Sequence, residues 1–189
     1  MIGRLRGMLV SQRETTVTID VNGVGYEIQL TPRDLGSLPG VGEEIVLHTH
    51  TYVREDDLRL FGFAAESDRE LFRILIGASG VGPKVAMAML GSMSADEMVR
   101  AIVSEDADAL TIAPGVGKRG AQKIVLELAP KLAGHEVTLI SGGGFVTVRS
   151  ALEGLGYSTA EINGVVGALN PDDPIEVQIK SALQSLGNR

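Results

Sequence analysis

The chain has 189 residues, 44% hydrophobic and only 4% aromatic, with no tryptophan, no cysteine and a net charge of −7. That length holds one ordinary domain or two to three small ones. The missing cysteines exclude disulfides, thiolate chemistry and cysteine-ligated zinc or iron–sulfur centres. With so few rings, few residues could stack on bases. No apolar run reaches the roughly 18 residues of a membrane span, and the opening Met1-Ile2-Gly3-Arg4-Leu5-Arg6 lacks a signal peptide's apolar core. A cytoplasmic protein with no membrane partner is the expectation.

Residues 1–63 read as strands. A first strand spans about 2–12. Val17, Ile19 and Val21 then alternate with polar neighbours, as do Val24, Tyr26, Ile28 and Leu30. A period of two marks half-buried antiparallel strands, and Asn22-Gly23 between them is a two-residue hairpin signal. Pro32 to Leu38 predicts a short helical turn. Two further strands fall near 44–54 and 58–63. Five short strands with a helical insert after the third predict an OB-fold β-barrel. So small a core should pack on the residues C-terminal to it. Glu55-Asp56-Asp57 forms an acidic tip between the last two strands, which reads either as a solvated turn or as a charge that acts on whatever lies beside it.

Residues 64–133 switch to helical signals, with about five helices, the last ending near Pro130. Ser67 with Glu70 and Ser94 with Glu97 have capping-box spacing, and Pro83 suits a first helical position. Within this unit a phrase occurs twice, shifted by 35 residues: Gly80-Val81-Gly82 returns as Gly115-Val116-Gly117. Leu75 pairs with Leu110, Ala78 with Ala113, Lys84 with Arg119 and Ala86 with Ala121. Each copy reads as helix end, glycine hairpin, basic residue, small-residue helix. Such a hairpin leaves unpaired N–H groups at the start of its second helix, where the dipole also favours an anion, a phosphate above all. A tandem helix-hairpin-helix domain that grips a phosphodiester backbone is therefore predicted. Main-chain donors carry no base information, so the grip should be sequence-independent. The candidate DNA-binding residues are Gly80, Val81, Gly82 and Lys84 in the first copy. In the second they are Gly115, Val116, Gly117, Lys118, Arg119 and Lys123.

The acidic total argues against nucleic acid at first sight, but its distribution does not. Residues 1–62 carry 6 basic and 9 acidic side chains, residues 63–133 carry 8 and 9, and residues 134–189 carry 3 and 6. Inside the two repeat cores, residues 80–90 and 114–126, four bases stand with no acid. Residues 134–144, with Ser141-Gly142-Gly143-Gly144, read as a flexible linker. Residues 145–189 then predict a small three-helix, UBA-like bundle: about 145–155 ending at Gly156, about 159–169 opened by a Ser158/Glu161 capping box and broken at Asn170-Pro171, and a last helix from Asp173-Pro174 to about Leu186. Leu152, Leu155 and Tyr157 are core residues of this bundle or, where it is too small to cover them, a protein-docking patch.

Gly115-Val116-Gly117-Lys118-Arg119-Gly120 matches G-x-G-x-x-G literally, but a helical pattern and Pro114 precede it where a dinucleotide site needs a strand. A Walker A loop is absent, with Ile112 at its first glycine and Arg119 at its Ser/Thr. His48 and His50 share a strand face and read as exposed strand histidines; with His135 far off in the linker, no zinc set can be completed. No catalytic constellation can be placed. From the residues alone, a general helix-hairpin-helix module, such as a repair-nuclease subunit, and a scaffold without DNA both stay open.

Taken in order, the opening Met1 to Gly7, Val24-Gly25-Tyr26-Glu27, Val53-Arg54-Glu55-Asp56, Phe61-Gly62-Phe63, the two hairpins and Leu155-Gly156-Tyr157 resemble the RuvA family of bacterial Holliday-junction-binding proteins. The resemblance spans nearly the whole chain and is most specific over 1–130. It implies a multidomain α+β fold and a fourfold-symmetric homotetramer that holds a four-way junction open and square, one or two tetramers covering the junction. Glu55 and Asp56 would form an acidic pin at its centre, with Asp57 adding charge, and the hairpins would contact the minor-groove backbone of each arm. The C-terminal domain would dock on the RuvB hexameric ATPase, with Leu152, Leu155, Tyr157 and Leu183 as contacts. The chain itself would be a non-catalytic subunit with no cofactor, ATP and Mg2+ being used by RuvB. It would act in branch migration, recombination and SOS-linked repair, with RuvC resolvase cutting the junction. The short linker is the chain's main departure from the family pattern.

Overall fold

The computed structural model describes residues 1–132, 148, 151–152, 154–166, 169 and 175–187. Five strands close into a barrel: β1 (Arg4–Gln12), β2 (Thr16–Val21), β3 (Val24–Gln29), β4 (Glu44–Val53) and β5 (Leu58–Phe63), in the order β1-β2-β3-β5-β4. All neighbours are antiparallel except β3 and β5, which run parallel through Ile28 opposite Leu60. The β2–β3 turn is Asn22-Gly23, both at positive φ, and the Gly23 N–H donates to the Asp20 carboxylate at 2.9 Å. The alternation of β1 and β2 is cut to fit the barrel core, with Leu5, Leu9, Val17, Ile19, Ile28 and Leu47 all buried. Gly7 lies where the barrel wall is tightest: a Cβ there would stand 2.1 Å from the Asp20 carbonyl oxygen. The short helix α1 (Pro32–Gly36), capped by the Thr31 hydroxyl, lies between β3 and β4, which is the expected insert.

The helical unit comprises α2 (Glu66–Leu75), α3 (Pro83–Ser92), α4 (Ala95–Val103), α5 (Ala107–Leu110) and α6 (Lys118–Leu132). Strand β5 belongs to both units. Leu60 lies in the barrel core, whereas Phe61 and Phe63 join Leu71, Phe72 and Leu75 in the helical core. The Phe61 and Phe63 rings lie 5.2 and 5.1 Å from that of Phe72. A marginal barrel thus gains a second apolar face by lending a strand to its neighbour.

Two local expectations are corrected. Ser67 and Glu70 do not form a capping box: α2 starts at Glu66 after an Ala65 N-cap with no side-chain bond, so Ser67 is already helical. Glu70 accepts instead from Arg69 and Arg73. Helix α6 ends near Pro130 as expected, running two residues past it to Leu132, whose side chain is fully buried; a proline in the last turn removes one N–H bond. His48 and His50 are half-buried rather than exposed. The His50 ring lies 5.4 Å from Phe72, and burial, then Arg73 and Arg69, lower its pKa. The Ser94/Glu97 and Ser158/Glu161 boxes do form.

In the C-terminal unit, residues 148, 151, 152 and 154 are helical, followed by α7 (Thr159–Val166) and α8 (Ile175–Gly187). Gly156 at φ 89 ends the first of these, with the Tyr157 N–H donating back to Leu152. Val148, Leu152, Ile162, Val165 and Ala182 form its core. The expected linker, His135, the Asn170-Pro171 break and the Asp173-Pro174 start lie outside the described residues.

Candidate nucleic-acid interface

The two hairpins are built from the same hydrogen bonds. In the first, Ala78 N–H donates to Leu75, Val81 to Ala78 and Ala86 to Gly82; in the second, Ala113 donates to Leu110, Val116 to Ala113 and Ala121 to Gly117. Gly80 and Gly115 take φ of 85 and 88, a region that costs an L side chain about 1–2 kcal/mol. Val81 and Val116 are 5% and 7% exposed and anchor each turn in the helical core. Their side chains, proposed from sequence among the DNA contacts, point inward, and their N–H groups are already bonded. At the helix starts the donors that remain are those of Gly82, Lys84 and Val85, and of Gly117, Lys118, Arg119 and Gly120. Among the described residues nothing accepts from them. Each set opens a helix, α3 or α6, where the dipole adds partial positive charge.

Both hairpins border one cleft of about 290 Å³ lined by Gly80, Gly115, Arg119, Gly120 and Lys123. Arg119 and Lys123, which line it, are exposed, as are Lys84 and Lys118 at the starts of α3 and α6. Lys118 reaches only a 4.0 Å pairing with Asp108, both side chains 82% exposed, which leaves its charge available. The sequence missed Glu127. Its carboxylate accepts the Ser79 N–H at 2.8 Å across 48 residues and stands 4.0 Å from Lys123. It ties the first hairpin to the helix that opens at the second. The Ser79 N–H, first of all, and the nearby Lys123 and Lys131 lower its pKa. The second copy needs no such acceptor, because Pro114 stands where Ser79 does and has no N–H. The only sequence signal was the i,i+4 spacing of Lys123 and Glu127.

The acidic tip is a tight turn between β4 and β5, with Arg54 N–H donating to the Asp57 carbonyl at 2.8 Å. Glu55 and Asp56 are exposed, and among the described residues no cation pairs with either. Asp57 differs. Its carboxylate lies 2.6 Å from Arg59 Nε, so the third tip charge expected from sequence is largely compensated. Arg54 turns away from the tip, donating to the Tyr52 hydroxyl at 2.6 Å with its guanidinium 5.3 Å from that ring's centre. A groove of about 440 Å³ lined by Tyr52, Arg54, Arg59 and Lys84 runs between tip and first hairpin. It carries cations from the barrel to the helical unit.

At the C-terminus, Leu152 is fully buried, which makes it a core residue and corrects its placing among the docking contacts. Leu155 is 61% exposed beside the Gly156 stop. Tyr157 and Leu183 are half-buried against the small core. The G-x-G-x-x-G match comes after α5 and opens α6 with no strand before it, so the dinucleotide geometry is missing.

An OB-type barrel carrying an acidic tip, a tandem helix-hairpin-helix unit and a small helical C-terminal unit define a multidomain α+β protein of the helix-hairpin-helix class. Residues 1–62 match the family model "RuvA N terminal domain", 72–130 "SAM-like Helix-hairpin-helix tandem" and 148–187 "RuvA, C-terminal domain". The chain is 41% identical to the "Holliday junction branch migration complex subunit RuvA" of Pseudomonas syringae pv. syringae (strain B728a), over 99% of this chain and 100% of that one. It is 43% identical to the protein of the same name from Pseudomonas putida (strain W619), over 89% of each. Its identity to that of Chromobacterium violaceum is 40%, over 98% of each. The chain belongs to the RuvA family. No helix among the described residues is long and apolar enough to cross a membrane.

Proposed function

We propose that four copies of this chain grip a four-way DNA junction by its phosphates and hold it open and square. Their barrels would meet at the centre, and one tetramer or a facing pair would cover the DNA. The observation that carries the reading is the combination of two hydrogen-bond-matched hairpins, each with free N–H groups and exposed cations at the start of a helix, and a barrel tip with two uncompensated carboxylates. The hairpins, with Lys84, Lys118, Arg119 and Lys123, hold backbone without reading bases. Glu55 and Asp56 repel phosphates at the crossover, where strands must part. A straight duplex passing the tip meets that repulsion and gains nothing in return.

The chain is the non-catalytic DNA-binding part of a branch migration complex. The motor is a RuvB-type ATPase, which uses ATP and Mg2+, and the C-terminal unit reaches it through Leu155, with Tyr157 and Leu183 beside it. Junction cleavage by RuvC, and a role in SOS-linked recombinational repair in the bacterial cytoplasm, are inferred from the family. The test is a titration of one labelled four-way junction and one duplex of equal length at the same salt concentration. The reading predicts a clear junction preference; equal affinity would reduce the protein to a general helix-hairpin-helix module. Replacing Lys84, Lys118 and Arg119 together with alanine should weaken both DNAs. Unchanged binding would favour a scaffold.

A further inference from the structure

Helix α2 is the element of the helical unit that directly succeeds the barrel in sequence, and it ends five residues before Gly80. Any pivot of α2 on the barrel therefore swings the first hairpin relative to the acidic tip. Through its packing on α4 and α6 it carries the second hairpin along. The apolar contact at this seam is a set of tilted rings, Phe61, Phe63 and His50 on Phe72. These rings supply buried area at the seam but no hydrogen bond.

Directional bonds at the seam come from two neighbouring residues of α2. The Arg69 side chain is only 15% exposed. Its Nη1 donates to the Gly3 carbonyl at 2.8 Å, across 66 residues. Its Nη2 donates to Glu66 and Glu70, both at 2.7 Å, and its Nε to Glu70 at 3.1 Å. The same Gly3 carbonyl accepts the Thr49 N–H at 2.9 Å, so Arg69 is wired into the barrel where the N-terminal segment meets β4. Asp68, 7% exposed, receives Arg33 of α1 at 3.2 Å. The neighbouring Asp34 accepts from the Ala64 N–H at the β5–α2 link and from Thr31. Two different parts of the barrel are thus fastened to successive residues of one helix. Guanidinium forks fix both distance and plane.

We propose that Arg69, seconded by the Arg33–Asp68 pair, is a positioning residue for junction selectivity: it fixes the angle between the acidic tip and the two hairpins. This deepens the junction-binding reading and rests on it. The residue touches no DNA. Losing it should leave each hairpin's phosphate grip intact and blur the geometry that separates a junction from a duplex.

Two measurements on the full chain test this and separate it from the reading beneath it. The first is the ratio of junction to duplex affinity for wild type, Arg69→Ala and Arg69→Lys. Loss of a part-buried, charge-assisted bond set is expected to lower the ratio about tenfold in Arg69→Ala while duplex affinity stays within about twofold. Arg69→Lys, which keeps the charge but not the fork, should recover only part of it. The second needs no DNA. The chain has no cysteine, so Glu27→Cys on β3 and Arg100→Cys on α4 accept a spin-label pair selectively. Diluted with unlabelled chain, the pair should give one narrow distance distribution in the wild type and a broadened or shifted one in Arg69→Ala. An unchanged ratio in Arg69→Ala, or an unchanged distance distribution, overturns the proposal even if the melting temperature falls. A wild type without junction preference, but with broadening in the variant, overturns the junction reading and leaves the clamp standing as a purely structural device.

Discussion

Glu55, Asp56 and Asp57 stand side by side in different surroundings. Asp57 is held 2.6 Å from Arg59, whereas Glu55 and Asp56 face outward from the turn. Glu55→Gln with Asp56→Asn should therefore relax the preference for four-way DNA, with duplex affinity unchanged or higher, in a competition titration at fixed salt. Asp57→Asn should act otherwise: it frees the Arg59 cation and should raise affinity for both DNAs alike. At the hairpins, Gly80→Ala or Gly115→Ala places a Cβ at φ near +85 to +88. Each should cost about 1–2 kcal/mol, read as a lower denaturation midpoint, together with weaker DNA binding. The sequence displayed the glycines, because a doubled motif is visible in one dimension. It hid the partners. Asp57 with Arg59 could be mistaken for free charge, and Glu127 reaches Ser79 across 48 residues; no local pattern encodes a contact that only the fold creates.

At the scale of elements, identical spacings had different fates. Ser94 and Glu97 close a capping box at the start of α4. Ser67 and Glu70 have the same spacing, but α2 begins one residue before Ser67, which is therefore already helical and cannot act as the N-cap. Ser94→Ala should cost about 1 kcal/mol, and Ser67→Ala less than about 0.5 kcal/mol; paired thermal melts will separate them. Asp68 gives α2 a pH dependence. Burial raises its pKa, against the opposing pull of Arg33. The folded state therefore holds this proton more tightly than the unfolded state, and the stability it confers is present at low pH. That stability is lost as pH rises from the ordinary carboxylate range through the raised value. Asp68→Asn has no proton to lose, so its melting temperature relative to wild type should climb between pH 4 and pH 7. A difference that stays flat with pH would count against the shift. The strands, the Asn22-Gly23 turn and the five helices were legible from period and punctuation. The sharing of β5 by two cores was not, because Leu60, Phe61 and Phe63 are all apolar and alternation cannot say which core each residue joins.

At the scale of the whole molecule, an acidic chain keeps its charges apart: carboxylates at the barrel tip, exposed cations at the two hairpins. Several phosphates neutralised per assembly should give a steep salt dependence, with a log–log slope of about −0.9 for each phosphate. The C-terminal unit has its own core around Leu152 and Ile162. Deleting residues 145–189 should therefore spare junction binding and abolish motor-driven branch migration. In the proposed assembly four tips surround one crossover while eight hairpins hold its arms. The native mass of the complex formed on an immobile four-way junction tests it most directly. Four chains per junction are expected, or eight where a second tetramer closes the other face; a complex of one or two chains per junction would rule the assembly out.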